Sequence, residues 1–189
     1  MSNFSFIDKK NIKNSSFILD EKESHHIVSV LRLKENSNLT LTDGQGKVYH
    51  SVIIELNKKS VKGKILREEK ILNEQKYLIH LALPLIKNNR FKIALEKSVE
   101  LGVNEITPIK FDKSVKSKIN YDKIHSTIHS ACKQSTRPYF PKLNKLKTFR
   151  EWYDSNAVNI VCLIDSEKTI INQLDLIKSC LKNNHKINL

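Results

Sequence analysis

The chain has 189 residues, 39% hydrophobic and 28% charged, enough to bury a core in one large domain or two small ones. Its 33 Lys and Arg against 20 Asp and Glu give a net charge of +13, which favours a polyanionic partner such as nucleic acid. Cys132, Cys162 and Cys180 are odd in number and lack CxxC spacing, which argues against a disulfide framework or a zinc centre. MSNFSFIDKK has no apolar core of a signal peptide. The longest apolar stretch, YLIHLALPLI, is too short to span a bilayer and is interrupted by His80. The expectation is a cytoplasmic protein with no membrane association.

Residues 1–72 read as short strands separated by turns. SFILD (16–20) is followed by SHHIVSVLRL, with Ser24 as the expected N-cap and Ile27, Val30, Leu31 and Leu33 at helical spacing. NLTLTD (38–43), KVYHSVIIEL (47–56) and SVKGKILRE (60–68) alternate or run β-branched, and DGQG at 43–46 is a hairpin signal. This pattern predicts a small β-barrel over 1–72.

Residues 69–76 read as a linker or a fraying strand end, and over 76–189 the rhythm changes. YLIHLALPL (77–85) is a continuous apolar run, as in a buried parallel strand. NNRFKIALEKSVELG (88–102) is an amphipathic helix with Phe91, Ala94, Leu95, Ser98, Val99 and Leu101 as its apolar stripe and Gly102 as its stop. Strand EITPIKF (105–111), helix INYDKIHSTIHSACKQ (119–134), strand NIVCLID (159–165) and helix TIINQLDLIKSCLKN (169–183) follow, and HKINL reads as the start of another strand. The alternation predicts an α/β layer on a parallel sheet, so the fold class is a two-domain α+β protein. If strands were missing beyond HKINL, the sheet would carry an exposed edge.

The charge is uneven. Residues 110–150 carry 11 basic side chains against Asp112 and Asp122, a clustering that suggests an RNA or DNA footprint, with a solvated lysine face as the plain alternative. His25 and His26 are adjacent and cannot clasp one ion well. His125 and His129 share a helix face, but in cationic surroundings with no third ligand nearby, so no metal is expected. Glu96 and Glu100, four residues apart on one helix, are a conceivable carboxylate pair, and ion pairs with the neighbouring Lys92 and Lys97 explain them equally well. Residues after Gly102 contain no glycine, so no bare backbone is available there to approach a nucleotide or methyl-donor cofactor.

Lys87, Arg90, Gln134 and Arg137 remain. In SACKQSTRPYFPK (130–142), Arg137 precedes Pro138, which disfavours the α region, so its guanidinium is expected to project from the helix end. An Arg fork beside a Gln amide can bind phosphate or a base edge, although capping helix carbonyls or pairing with an acid is an equal alternative. Tyr139 and Phe140 could stack on a splayed base or pack in a core.

HHIVSVLRL, LTDGQGKVYHSVI, KNNRFKIALEKSVELGVNEITPI and ACKQSTRPYFPKL, in this order over about residues 17–165, resemble the RsmE family of 16S rRNA uridine-N3 methyltransferases, members of the SPOUT superfamily. The resemblance implies a PUA-like barrel that helps hold RNA, and a SPOUT α/β domain whose knot binds S-adenosylmethionine and forms a homodimer interface. It implies RNA-binding roles for His26, Arg32, Lys87, Arg90 and Lys133, and places Gln134 and Arg137 near the active site as catalytic residues; Lys97, Glu100 and Gly102 match the helix after the first strand of the catalytic domain. Lys133 stands where the family usually has Glu. The family's IGPEGG-like loop and its LG-x-R-x-L-R-x-ET-like stretch are not found in these residues, so a C-terminally truncated member with no cofactor-binding residues is expected. The alternative is a non-catalytic RNA-binding remnant.

Overall fold

The computed structural model describes residues 3–71, 77–112, 114, 119–162, 166–181 and 186–189. The chain forms two compact units, Met1–Glu74 together with Cys132–Phe140, and Gln75–Ala131 together with Pro141–Leu189.

The first unit holds β1 (Phe4–Phe6), β2 (Ile12–Lys13), β3 (Ser16–Ile18), α1 (Glu21–His25), β4 (Asn38–Thr42), β5 (Lys47–Leu56) and β6 (Val61–Lys70). They form one mixed sheet ordered β1-β4-β5-β6-β3-β2, with β1 parallel to β4 and the remaining pairs antiparallel. The inward residues Phe17, Ile27, Leu39, Leu41, Ile53 and Val61 form its core. Burying each such side chain contributes roughly 1.5–3 kcal/mol before chain entropy is counted. Two register shifts in the β5–β6 pair, at His50/Ser51 and Ile53/Glu55, are bulges that increase the local twist and help the sheet wrap its core. Opposite Phe17, only glycine fits at position 63, because a Cβ there would lie 2.2 Å from the Val52 carbonyl oxygen and 2.5 Å from the Phe17 ring.

The first helix starts earlier than expected. Asp20, not Ser24, is its N-cap, accepting the Glu23 N–H at 2.8 Å. Ser24 instead lies in the core, where its hydroxyl oxygen accepts the Val61 N–H at 2.9 Å. After α1 the helix widens into a π turn over His26–Val30, with the Leu31 N–H reaching the His26 carbonyl, and Arg32 then adopts φ 53°. Ile27 is buried but Val30 is 53% exposed, because the wider turn rotates it off the expected stripe.

The second unit holds β7 (Leu78–Pro84), α2 (Asn88–Glu100), β8 (Glu105–Lys110), most of α3 (Tyr121–Gln134), β9 (Lys142–Leu143), β10 (Lys147–Thr148), α4 (Phe149–Trp152), β11 (Val158–Asn159), α5 (Leu174–Cys180) and β12 (Lys186–Asn188). All its strands are parallel, in the order β10-β8-β7-β12-β11, with β9 also on β8. The residues of HKINL do not leave β7 bare. Lys186–Asn188 form β12, which pairs with β7 on one side and β11 on the other. Of NIVCLID, expected as a buried strand, only Asn159 among the described residues lies in a strand, β11, and Val161 is 58% exposed; residues 163–165 of that stretch lie outside the described residues. The stretch expected as a helix from 169 begins with a 3-10 turn at Ile171–Gln173, and its last two residues also lie outside them.

In α2 the buried pair is Leu95 and Val99, one turn apart, while Leu101 is 77% exposed at the C-cap. Gly102 (φ 92°) ends the helix in a Schellman motif: its N–H reaches the Val99 carbonyl, and the Val103 N–H reaches that of Ser98, both at 3.0 Å. The acidic residues of α2 are ion-paired, Glu96 with Lys92 at 3.4 Å and Glu100 with Lys97 at 2.7 Å. Among the described residues, no helix is long and apolar enough to cross a membrane.

Candidate functional site

The last turn of α3 and the segment after it belong to the first unit. Helix α3 ends on Thr136 at φ 53°, with the Arg137 N–H reaching the Cys132 carbonyl at 2.9 Å and the Thr136 N–H reaching that of Lys133 at 3.4 Å. This is a Schellman ending with a β-branched residue where glycine is usual, a conformation that costs on the order of 1 kcal/mol or more and persists only where the surroundings enforce it.

What enforces it is the hairpin at 43–46. The Gly46 N–H donates to the Pro138 carbonyl at 3.1 Å, and the Phe140 N–H donates to the Gly44 carbonyl at 2.9 Å. Gln45 and Tyr139 form an antiparallel bridge. Both hairpin glycines have positive φ, and a Cβ on Gly44 would meet the Phe140 ring, one on Gly46 the Tyr139 ring. Phe140 also packs on Phe6 at 4.4 Å between centroids, and the Tyr139 hydroxyl donates to the Ile71 carbonyl. Both aromatic residues thus pack within the protein, and the two prolines stiffen a docking segment.

This geometry sorts the residues singled out in the sequence. In the first unit Gln134 is exposed, but Arg137 is buried at 6% exposure and does not project, because the anchored Pro138 turns the chain back on the hairpin. The Lys133 ammonium meets a Glu23 carboxylate oxygen at 2.9 Å and lies 5.8 Å above the Phe6 ring, with side-chain exposures of 15% and 10% for the pair. Glu23 also accepts from the Ser5 hydroxyl and, at 3.5 Å, from the Phe6 N–H. Burial pushes the Glu23 pKa up, but the Ser5 hydrogen bond and Lys133 outweigh it and hold the carboxyl below its ordinary value. His26 is half-buried; burial first, and then Lys133, push its pKa down, so the imidazole is neutral at pH 7. Arg32 is exposed just past the π turn. No sequence signal linked Glu23 to Lys133, because charged residues 110 positions apart carry no periodicity.

In the second unit Lys87 and Arg90 are exposed where β7 gives way to α2, Lys87 at the N-cap position. They stand at the carboxyl edge of the parallel sheet, the edge where open α/β sheets bind ligands. Beside them is a cleft of about 330 Å³ between the first turns of α2 and α3, lined by Ile86, Asn89, Phe91, Lys92, Asn120 and Lys123 among others.

Sequence reasoning missed a polar network on one face of this sheet. The Trp152 indole N–H donates to His80 Nε2 at 3.1 Å, and the Thr107 hydroxyl contacts the same nitrogen at 2.7 Å. An indole only donates, so Nε2 accepts and the proton of neutral His80 sits on Nδ1. The Asn144 amide ties Thr107 (2.7 Å) to Glu105 (2.8 Å). Burial is the main cause that holds the His80 pKa below the usual value. Periodicity read YLIHLALPLI as apolar, and only His80 itself hinted at the network.

Comparison with known proteins identifies this arrangement. Residues 73–189 match the family described as RNA methyltransferase domain, and residues 19–66 the one described as RNA methyltransferase PUA domain. The chain is 33% identical to ribosomal RNA small subunit methyltransferase E of Mesomycoplasma hyopneumoniae, over 86% of this chain and 70% of that protein. It is 31% identical to the protein of the same name from Buchnera aphidicola of Acyrthosiphon pisum, over 77% of this chain but only 60% of its relative. Among solved structures, a predicted RNA methyltransferase from Thermotoga maritima superposes with TM-score 0.73 at 29% identity, covering 98% of this chain and 79% of that one. The methyltransferase E of Neisseria gonorrhoeae, solved with S-adenosyl methionine, shares the fold with TM-score 0.77 at 22% identity, covering all of this chain and 78% of its own. The chain belongs to the RNA methyltransferase family of ribosomal RNA small subunit methyltransferase E, with a PUA-like unit followed by a SPOUT-type α/β unit.

Proposed function

We propose that this protein serves S-adenosylmethionine-dependent methylation at N3 of a uridine in the 16S rRNA of the small ribosomal subunit, in the cytoplasm. The carrying observation is the match to the methyltransferase family over residues 73–189, joined to a PUA match over residues 19–66. Lys87 and Arg90 on the carboxyl edge, and His26 and Arg32 beside the π turn, are offered as RNA contacts. Uracil N3 is weakly acidic, so the reaction needs an oriented imide and a cation near the oxygen that gains charge. Gln134 supplies an exposed amide at the end of α3, and the buried Arg137 guanidinium a fixed cation whose field is less screened than at the surface.

The residues present fit the methyl donor poorly. Residues 103–189 contain no glycine, and Gly102 is used to close α2, so the second unit offers no bare backbone to an adenosine or a methionine carboxylate. A second reading, an RNA-binding member of the family without methyl transfer, differs from the first in one observable, the transfer of label.

The test is to incubate the chain with small ribosomal subunits lacking the modification and with labelled S-adenosylmethionine, then map any label by mass spectrometry. Label on N3 of one uridine supports the first reading. RNA binding without label supports the second, and label on another base position refutes the proposed chemistry. Arg137→Ala should cut methylation far more than RNA affinity, and equal losses would remove Arg137 from the reaction.

A further inference from the structure

Three aromatic rings stand in a row on the second unit and take no part in the arrangement above. Phe111 is the first residue past β8, Phe149 the first past β10, and Tyr153 the first past α4. Phe111 and Phe149 stack with centroids 6.0 Å apart, and Phe149 lies 6.2 Å from Tyr153. Their exposures are 45%, 38% and 52%. Beneath them the buried Trp152, 5.8 Å from Phe149, is pinned by its hydrogen bond to His80. The row is therefore a set of solvent-facing rings on a fixed base.

Such a row needs a partner, since adjacent large apolar side chains left in water mark an interaction surface. Its surroundings are cationic. Lys110 and Arg150 are exposed in the same stretches, and a cavity of about 500 Å³ beside Tyr153 is lined by Lys142, Lys145, Lys147 and Lys186. Four lysines face three carboxylates there, Glu105, Glu151 and Asp154; Glu105 pairs with Lys142 at 3.2 Å and Lys186 at 3.9 Å, Glu151 accepts from the Thr148 backbone and hydroxyl, and a positive surplus remains at Lys145 and Lys147. Asp154 accepts the Asn156 N–H at 3.0 Å. Strands β8 and β10 end together, with Lys110 opposite Thr148, so the row begins on the carboxyl edge that also carries Lys87 and Arg90.

We propose that Phe111, Phe149 and Tyr153 form a stacking platform for single-stranded RNA, with the neighbouring lysine-lined cavity holding its phosphates. Aromatic faces take any base, and lysines beside them take the backbone, which is the chemistry of sequence-tolerant single-strand binding. A duplex hides its bases and cannot use the rings. A second copy of the chain fits poorly, because the same lysines would face one another in a molecule of charge +13. The platform rests on the reading of RNA as substrate and extends it by naming where unpaired substrate strand is held.

The experiment is fluorescence anisotropy with an end-labelled 12-nucleotide RNA of mixed sequence, as a single strand and as a blunt duplex, over a salt series. Tyr153→Ala and Phe111→Ala should each weaken single-strand binding about five- to tenfold without altering its salt slope, while Tyr153→Trp keeps it. Lys145→Ala should lower the slope by about 0.7, the value for one single-strand phosphate contact. Phe149→Ala should have the largest effect; if it does not fold, the Tyr153 and Phe111 variants carry the test. Binding by the unaltered chain that neither variant weakens would overturn the platform and leave the RNA reading intact. No binding of either RNA form would overturn both. A change in sedimentation with unchanged RNA affinity would reassign the row to self-association.

Discussion

The Lys133–Glu23 pair yields the sharpest stability prediction. Replacing Lys133 by Met keeps most of the apolar stem over Phe6 but leaves the Glu23 carboxylate nearly buried with only Ser5 and the Phe6 N–H as partners. At an effective dielectric of about 20, charges 2.9 Å apart attract by roughly 5–6 kcal/mol before desolvation is subtracted. The variant need not lose that much, because Glu23 can take up a proton instead. Starting from the ordinary carboxyl value of 4.5, protonation at pH 7 costs about 3.4 kcal/mol, which caps the loss. With two hydrogen bonds remaining, Lys133→Met should destabilise the chain by about 2–3 kcal/mol at pH 7. The cap falls by about 1.4 kcal/mol per pH unit, so the loss should shrink below about 1 kcal/mol at pH 5. Urea unfolding followed by circular dichroism at both pH values measures this. An equal loss at pH 7 and pH 5 would refute the ion pair as its source.

Thr136→Gly should stabilise the chain by about 0.5–1 kcal/mol, since glycine takes the positive φ that threonine holds under strain, and a lower melting temperature would show that the threonine side chain has a compensating role. Gly63→Ala should cost about 2–3 kcal/mol or prevent folding, because its Cβ has the Val52 carbonyl and the Phe17 ring in its place; near-neutral unfolding data would contradict that close approach. Burial holds the His26 and His80 pKa values below 6.5, so the unfolded chain binds more protons and stability should begin to fall as pH drops through 6.5. Glu23 and Glu105, both held below 4.5, add a second fall as pH drops through their lowered values. A urea midpoint that stays flat from pH 7.5 to pH 5.5 would rule out the histidine part.

Legibility in the sequence followed the range of the interaction. The long strands β5 and β6, the hairpin at 43–46 and helix α2 with its glycine stop were readable, because each is fixed by neighbours a few residues apart. The alternation of strands and helices after residue 76 gave the parallel sheet, and residue blocks spread over most of the chain gave the family. Strand β1 was not read, since three residues paired in parallel with β4, thirty-six positions on, leave no local pattern. The rigid exit from α3 was visible as two prolines, yet its purpose depended on glycines ninety residues earlier. Candidate site residues were legible by type and by family position. Their burial was not: Arg137, expected to project from the helix end, is buried, and nothing in the sequence announced the ion pair of Lys133 with Glu23.

The docking of residues 138–140 on the 43–46 hairpin means that the first unit is discontinuous in the chain, with residues 75–131 inserted into it. Such a unit cannot be lifted out as an amino-terminal fragment: residues 1–74 alone would leave Phe6 uncovered and the glycine floor of the hairpin without its rings. During synthesis the unit reaches its final packing only after residue 140 has left the ribosome, when much of the second unit has already emerged. A gene rearrangement that swaps one unit for another would have to cut the chain in two places.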